Sequence, residues 1–187
     1  MIRELKVGVV TARFNSEITE KLEEGALAYL EECAGVQVYA VRVPGAVEIP
    51  VTAQTLIEAG CDGVVVLGAV IRGETSHYDY VCQSVERGIT ELMLAYNTPI
   101  GFGVLTTEND QQALDRAGGK HGNKGEETAQ VVMEMIGLLD QIQLDIGASA
   151  EDFDDAPVAK SKKAPKAAKK ATKVAKKAAP KSAKKKK

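Results

Sequence analysis

A run of apolar and small residues, GVVVLGAVI within positions 62–71, constrains the fold more than any other feature of the sequence. It is too short to cross a membrane, and an unbroken apolar run of this length is typical of a strand covered on both faces. Similar runs at 6–11 (KVGVVT) and 99–106 (PIGFGVLT), with the β-branched segment 36–43, predict three further strands.

Helical patterns fill the intervals between these strands. The first begins at Asn15 or Ser16, either of which can cap a helix, and Pro50 lies where the first turn of the second helix tolerates it. The first three helices are predicted to end at Gly35, at Gly60 and at about Asn97, and the last two to span 110–117 and 126–142. The order β-α-β-α-β-α-β-α-α predicts an α/β fold with a parallel sheet covered by helices on both faces.

Segments that follow the strands are where we expect chemistry, because ligands of such sheets bind beyond the carboxyl ends of the strands. Those segments are residues 11–15, 44–49, 69–77 and 106–109. Phe14 lies just past a strand, a poor place for core packing, and an exposed aromatic ring there can stack on a flat heterocycle. Glu48 precedes a helix and can also be a simple cap. Phe102 lies within a strand, so core packing is its default interpretation.

The strongest single motif is AVIRGETSHYD at 69–79. Gly73 permits a tight turn, Thr75 or Ser76 can cap the next helix, and free amides at a helix start form an anion site. His77 stands in that first turn, where the helix dipole disfavours a further positive charge and suits a neutral imidazole that accepts a proton. The alternative is that His77 is a surface residue at a helix start without a role in chemistry.

The segment RAGGKHGNKG at 116–125 combines four glycines with three cations between two predicted helices. A guanidinium fork such as that of Arg116 suits phosphate or carboxylate. The segment lacks the spacing of a Walker loop. A flexible connector with solvated charges is the alternative, and Lys124 and Glu127 lie three residues apart, where they can pair on a helix surface.

Cysteine and hydropathy patterns exclude several classes of protein. Three cysteines without CxxC spacing fit neither a disulfide framework nor a zinc site, and His77 and His121 lack companions at metal-ligand spacing. No apolar run is long enough for a membrane span, and the first residues do not resemble a signal peptide. The sequence also lacks GxGxxG and the acidic cluster of a receiver domain. We therefore expect a reducing, cytoplasmic environment.

Charge is divided unevenly along the chain. Residues 156–187 contain 14 lysines and no acid, which leaves 10 Lys and Arg against all 26 Asp and Glu before them, a net charge of −16. A segment this basic and poor in apolar residues cannot bury a core. The sequence predicts a folded domain at 1–142, an acidic linker at 143–155 and a disordered Lys/Ala-rich tail at 156–187.

Four motifs coincide in order and spacing with one family. VPGAVEIP (43–50), GAVIRGETSHYD (68–79), FGVLTTEN (102–109) and RAGGKHGNKG (116–125) resemble the lumazine synthase family, and the resemblance covers residues 5–142. It implies a flavodoxin-like, three-layer fold with a four-stranded parallel sheet. It also implies a transferase of riboflavin biosynthesis that joins 5-amino-6-(D-ribitylamino)uracil to 3,4-dihydroxy-2-butanone 4-phosphate without a metal or an organic cofactor.

The resemblance also assigns roles to residues. His77 matches the family's acid/base histidine, and Arg116 matches the arginine that clamps the phosphate, beside the backbone of Glu74 and Thr75. Lys124 and Glu127 match supporting charges. The positions that match contacts to the pyrimidine ring and the ribityl chain are Phe14, Ala46, Val47, Glu48, Ala69, Val70, Ile71 and Phe102.

Three positions depart from the family pattern. Val47 stands where many members have Tyr or Trp, so wall or stacking area is lost. Glu74 occupies a position that is often small or Asp, so its carboxylate must point away from the phosphate. His121 commonly corresponds to a small residue. None of these departures removes a group to which we assign chemistry.

The family builds its sites between neighbouring subunits of a pentamer, and the resemblance implies that Phe102 and Arg116 come from the adjacent chain. In some members twelve pentamers close into a 60-subunit shell. Association with riboflavin synthase is a further implied partnership, alongside the small-molecule substrates.

The basic tail is not part of the family pattern and resembles linker-histone tails in composition. Lysine-rich chains bind nucleic acid through counterion release, and an oligomer would multiply that effect. Attraction of the tail to the acidic body, or to the acidic stretch 151–155, is an equal alternative, and an engineered extension is another. A non-enzymatic oligomeric scaffold that binds nucleic acid through the tail is the competing function for the whole chain.

Overall fold

The computed structural model describes residues 4–150 of the chain, which belong to one compact unit. The predicted tail, and the predicted linker from residue 151 onward, lie outside these described residues, so the division into domain, linker and tail stays a prediction. Within residues 4–150, no helix is long and apolar enough to cross a membrane.

The chain alternates strands and helices in the predicted order. The elements are β1 (Leu5–Ala12), α1 (Ser16–Glu32), β2 (Val36–Val43), a 3-10 turn (Ala46–Glu48), α2 (Ile49–Glu58), β3 (Gly63–Ile71), α3 (His77–Tyr96), β4 (Ile100–Thr107), α4 (Asp110–Leu114), β5 (Ala117–Gly119), β6 (Gly122–Asn123) and α5 (Lys124–Ala150).

Four of the strands form one parallel sheet in the order β2-β1-β3-β4. The register pairs Val7 of β1 with Val38 on one side and Gly63 on the other. Because all three strand pairs are parallel, the carboxyl ends of the four strands lie at one edge of the sheet. The predicted α/β class and the four-stranded parallel sheet are confirmed.

Successive residues of the central strands point into two separate cores, as the two-residue period of a strand requires. Val7 and Val9 pack with Leu22 of α1 and with α5, whereas Val10 packs with Ile49 of α2 and with α3. The protein therefore has three layers, with α1 and α5 on one face of the sheet and α2 and α3 on the other.

Strand β2 is an exception to the predicted burial. Its side chains are largely exposed, including Tyr39 and Val41. The reason is its position at the edge of the sheet, where the described residues provide no further strand and little helix cover.

Two predicted boundaries differ from the structure. The helix expected at 110–117 ends at Leu114, and a short hairpin of β5 and β6 follows, with Gly118 and Gly122 at positive φ. Glycine adopts this conformation readily, so the glycine-rich segment turns back on itself instead of forming an open connector. Helix α5 begins at Lys124 and continues to Ala150, past the predicted end at Ile142. Polar residues there remain compatible with helix, and Gln141 donates a hydrogen bond of 2.7 Å to Asp145.

Candidate active site

A cavity of about 360 Å³ opens at the carboxyl edge of the sheet. Three of the four segments predicted to carry chemistry contribute to it, after β1, β2 and β3. Its lining residues are Ala12, Phe14, Asn15, Gly45, Ala46, Val47, Glu48, Ala69, Val70, Ile71, Gly73, Thr75, His77, Tyr78 and Val81. The prediction that these loops meet is thus confirmed, although the lining alone does not test the role of any residue.

Phe14 and Asn15 form the β1 side of the cavity. Phe14 is 70% exposed, so it lies outside the core as expected. Asn15 has a left-handed backbone conformation (φ 60°), and its side-chain amide donates a hydrogen bond of 2.8 Å to the carbonyl oxygen of Ala69. Asn15 is the N-cap residue of α1, one of the two predicted candidates, but it accepts the first helical hydrogen bonds through its backbone carbonyl, while its side-chain amide joins the ends of β1 and β3.

The loop between β2 and α2 supplies a carboxylate and an apolar wall. Glu48 turns its side chain back over the loop, where Oε2 accepts a hydrogen bond of 2.9 Å from the Gly45 amide. The Glu48 backbone carbonyl accepts a hydrogen bond of 3.0 Å from Thr52 Oγ1. Val47 is 49% exposed. Local capping is thus one role of Glu48, and its carboxylate keeps further acceptor capacity toward the cavity.

His77 begins helix α3, in agreement with the sequence prediction. Its backbone amide donates a hydrogen bond of 3.4 Å to Thr75 Oγ1, whereas Ser76 makes no side-chain cap. The imidazole is exposed and lines the cavity, so a ligand there can reach it. Glu74 is exposed and is not among the lining residues.

Tyr78, next to His77, also lines the cavity, although it was not among the predicted site residues. Burial raises the pKa of its hydroxyl above the ordinary value, and the nearby Cys82 adds to the shift. The tyrosine hydroxyl is therefore un-ionised near neutral pH and can both donate and accept hydrogen bonds. Its position one residue after a predicted site residue was the available signal.

The lining residues of this cavity include no Lys or Arg. Arg116, the predicted phosphate clamp, follows α4 and donates a hydrogen bond of 2.9 Å from Nη1 to the Gln112 carbonyl. Within residues 4–150 it makes no ion pair, so its guanidinium keeps donors for an anion. Within the described residues, Arg116 and His77 therefore do not line the same cavity.

Three other predicted site residues meet in a second, smaller cleft of about 180 Å³. Phe102, Lys124 and Glu127 line it with Gly101, Thr128 and Val131. Phe102 is 40% exposed, so the expectation of core packing is wrong. The reason is that β4 is an edge strand, with no further strand beside it in the described residues. Lys124 and Glu127 form the predicted ion pair on the first turn of α5.

The fourth segment that was expected to carry chemistry, 106–109, does not line the main cavity. Asn109 caps α4 instead, since its Oδ1 accepts a hydrogen bond of 2.9 Å from the Gln112 amide. Glu108 pairs with Arg72. Residues 4–150 contain no group of three or more His, Cys, Asp or Glu side chains placed to hold a metal ion.

Comparison with known proteins agrees with this architecture. The family model for 6,7-dimethyl-8-ribityllumazine synthase matches residues 4–140. The enzyme of that name from Bdellovibrio bacteriovorus is 71% identical over 138 residues, which cover 74% of this chain and 77% of the relative. The enzyme from Desulfovibrio desulfuricans is 49% identical over 142 residues, which cover 74% of this chain and 90% of the relative. The enzyme from Cytophaga hutchinsonii is also 49% identical, over 132 residues, which cover 69% of this chain and 83% of the relative. The chain therefore belongs to the 6,7-dimethyl-8-ribityllumazine synthase family.

Proposed function

We propose that the protein condenses 5-amino-6-(D-ribitylamino)uracil with 3,4-dihydroxy-2-butanone 4-phosphate to 6,7-dimethyl-8-ribityllumazine, releasing inorganic phosphate and water. The activity makes it a transferase of riboflavin biosynthesis. The observation that carries the proposal is family membership over residues 4–140 together with one cavity lined by Phe14, Glu48 and His77. The reaction needs no metal or organic cofactor, because imine formation and ring closure use only the two substrates and proton transfers.

The pyrimidine would occupy the part of the cavity between Phe14 and the end of β3. Phe14 presents an exposed ring that can stack on a flat heterocycle, and Ala69, Val70 and Ile71 supply an apolar floor. The ribityl chain would lie along Ala46, Val47 and Glu48, where backbone groups and a carboxylate offer hydrogen-bond partners for hydroxyl groups.

His77 would move protons during imine formation, loss of phosphate and ring closure. Each of these steps requires a proton to be added or removed, and the imidazole of His77 is accessible in the cavity. Much of the remaining acceleration would come from holding the amine of one substrate beside the ketone of the other.

The phosphate would lie near the backbone of Glu74 and Thr75 at the start of α3, where free amides and the helix dipole favour an anion. The cation for this phosphate would be Arg116 of a neighbouring subunit, with Lys124 and Glu127 as supporting charges and Phe102 completing the wall. The separation of the two lining sets within one subunit supports this arrangement. We therefore propose a homo-pentamer, which a 60-subunit shell or a decamer can incorporate as a unit.

Absorbance of the lumazine product tests the activity directly. Purified protein is mixed with both substrates, and product should form only when both are present. Absence of product under conditions in which a bacterial relative is active would contradict the proposal.

Mixed oligomers test whether the site is shared between subunits. His77→Ala and Arg116→Ala subunits are each expected to be nearly inactive alone. After unfolding together at equal amounts and refolding, about a quarter of the interfaces would combine an intact histidine with an intact arginine, because each interface is heterologous. Activity near that fraction is expected, and no recovery in a correctly assembled oligomer would place each site within one chain.

We also propose that the protein acts in the cytoplasm and that its product passes to riboflavin synthase, with which it associates. Cys33, Cys61 and Cys82 are all free thiols, a state maintained in reducing compartments. Burial raises the pKa of the Cys61 and Cys82 thiols, which keeps them un-ionised and poorly reactive.

For residues 156–187 we propose binding to nucleic acid. The support is the charge of this segment, with 14 lysines and no acid, and its position beyond the matched family domain. Lysine–phosphate contacts release counterions, so binding should weaken steeply with salt and show no sequence preference. Repetition of the segment on an oligomer would increase the avidity.

A gel-shift assay with duplex DNA tests the tail. The full chain should retard DNA at low salt, and truncation after Asp155 should abolish the shift while leaving lumazine formation unchanged. If the full chain fails to shift DNA even at low salt, attraction between the tail and the acidic body is the better explanation.

A further inference from the structure

Arg72, the residue that follows β3, joins three parts of the chain at the edge of the sheet. Its Nε donates to both carboxylate oxygens of Glu108, over 3.1 and 2.9 Å, and its Nη1 donates to Asp79 Oδ1 over 3.1 Å. Glu108 follows β4, and Asp79 lies in the first turn of α3. One guanidinium therefore connects the end of β3 to the end of β4 and to the helix that begins with His77.

Two further contacts fix the orientation of this side chain. The guanidinium carbon lies 4.0 Å from the centroid of the Tyr78 ring, a distance at which a cation is attracted to the aromatic face. The Arg72 backbone amide donates a hydrogen bond of 2.9 Å to the Thr107 carbonyl, which extends the pairing of β3 with β4 by one residue. Arg72 is thus held at both its backbone and its side chain.

These contacts close the loop that carries the candidate phosphate site. Residues 73–76 leave the sheet after Arg72 and lead into the first turn of α3, where Tyr78 and Asp79 both contact Arg72. At Gly73, a Cβ atom would meet no heavy atom within 4 Å, so packing does not hold that point of the loop. The bridge across the two ends is consequently a main restraint on where Thr75 and His77 lie.

The surroundings of the Arg72 guanidinium argue against direct contact between this side chain and a bound phosphate. Its guanidinium faces two carboxylates and is not among the residues that line the cavity. Arg116, in contrast, makes no ion pair within residues 4–150. An arginine whose Nε and Nη1 both donate to carboxylates is suited to holding other groups in place.

We propose that Arg72 is a positioning residue of the active site, which places His77 and the 73–76 backbone through its contacts with Asp79, Tyr78 and Glu108. This inference rests on the proposed lumazine-forming activity. A positioning role of Arg72 can be distinguished from a purely structural one. A residue that only stabilised the fold would change the amount of folded protein without changing the turnover of the folded molecules.

The test uses Arg72→Lys in the full chain, which keeps the positive charge but loses the two-pronged fork and the planar stacking surface. Arg87→Lys is the matched control, since Arg87 is an exposed arginine within helix α3 that also pairs with a carboxylate, Glu91, over 2.8 Å. Steady-state rates are measured for both substrates and normalised to folded oligomer, determined from circular dichroism and molecular mass. Binding of inorganic phosphate is measured separately by calorimetry.

For Arg72→Lys we expect kcat to fall on the order of tenfold, since small displacements of positioned groups reduce rates strongly. We expect weaker phosphate binding, a higher KM for the keto-phosphate and an unchanged KM for the pyrimidine. Arg87→Lys should match wild type in every measurement. Unchanged kcat and phosphate affinity in folded Arg72→Lys would overturn the inference, as would an equal loss in both variants.

A second variant keeps the test decisive if Arg72→Lys does not fold. Asp79→Asn removes one of the two carboxylates that pair with Arg72, while the salt bridge to Glu108 remains. It should produce a smaller fall in kcat with the same pattern of KM values. Wild-type kinetics in Asp79→Asn would then overturn the inference. Failure of the wild-type protein to form lumazine is a different result, because it contradicts the proposed function. In that case the phosphate affinity of wild type and of Arg72→Lys still tests whether Arg72 positions the 73–76 backbone.

Discussion

The side-chain amide of Asn15 donates a hydrogen bond of 2.8 Å to the carbonyl oxygen of Ala69. Asn15 precedes α1 in a left-handed conformation, with φ 60° and ψ 48°, and Ala69 lies near the end of β3. Both residues line the main cavity. A single bond therefore ties together two of the three loops that form the candidate site.

Replacing Asn15 should separate the contribution of this bond from that of the backbone. Asn15→Gly removes the side chain but tolerates positive φ, so it should cost about 1 kcal/mol of unfolding free energy through the lost hydrogen bond. Asn15→Ala should cost about 1 kcal/mol more, because alanine is strained in the left-handed region. Urea unfolding at equal protein concentration measures both, and equal midpoints for the two variants would exclude the backbone contribution.

Removal of the imidazole at position 77 should slow turnover without unfolding the protein. We expect His77→Ala to reduce kcat by roughly a hundredfold or more, which is the usual range for loss of an acid/base group. Circular dichroism and oligomer mass should match wild type, because the His77 side chain is exposed. Unchanged turnover would reject a role in proton transfer.

Loss of the Arg116 guanidinium should mainly weaken the use of the phosphorylated substrate. We expect Arg116→Ala to raise the keto-phosphate KM by about ten- to a hundredfold, because a charge-assisted hydrogen bond is lost. Lys120→Ala is the matched control, since Lys120 is an exposed cation of the same segment. An identical KM for the keto-phosphate in Arg116→Ala and Lys120→Ala would contradict this prediction.

Two glycines of α5 should respond in opposite ways to alanine. A Cβ atom on Gly125 would lie 1.9 Å from the Leu22 carbonyl oxygen, whereas one on Gly137 would meet nothing within 4 Å. Gly125→Ala should therefore force α1 and α5 apart and cost about 3 kcal/mol, the upper part of the usual overpacking range. Gly137→Ala should stabilise the helix by about 0.5 to 1 kcal/mol.

Thermal or urea unfolding of the two glycine variants, at one protein concentration, gives the comparison. A wild-type midpoint for Gly125→Ala would show that the two helices can separate without cost, contrary to the close approach of their backbones.

Much of the fold was predictable from local patterns. Unbroken apolar runs indicated β1 and β3, because central strands are covered on both faces. The intervals of α1 and α2 followed from their apolar spacing and from glycine or proline boundaries, whereas the predicted ends of α4 and α5 were wrong. The burial of β2 was not predictable in this way. Its β-branched composition is that of a strand, but its exposure depends on its place at the sheet edge.

The candidate site was predictable to the extent that parallel strands bring their carboxyl ends together. That rule predicts Phe14, Glu48 and His77 at one edge of the sheet, and all three line one cavity. The same rule failed for residues 106–109, since Glu108 and Asn109 are engaged in contacts with Arg72 and α4. Arg72 itself stood in the strongest motif, yet nothing in its local sequence indicated partners seven and 36 positions away.

Sequence alone determined the α/β class, the family and the residue types available for chemistry, because these depend on short-range periodicity and on motifs read in order. Tertiary structure alone decided that the Asn15 amide reaches β3, that Phe102 is exposed, and that Arg116 is absent from the lining shared by Phe14 and His77. Each of these depends on contacts between residues far apart in the chain, whose geometry is set by how the layers pack.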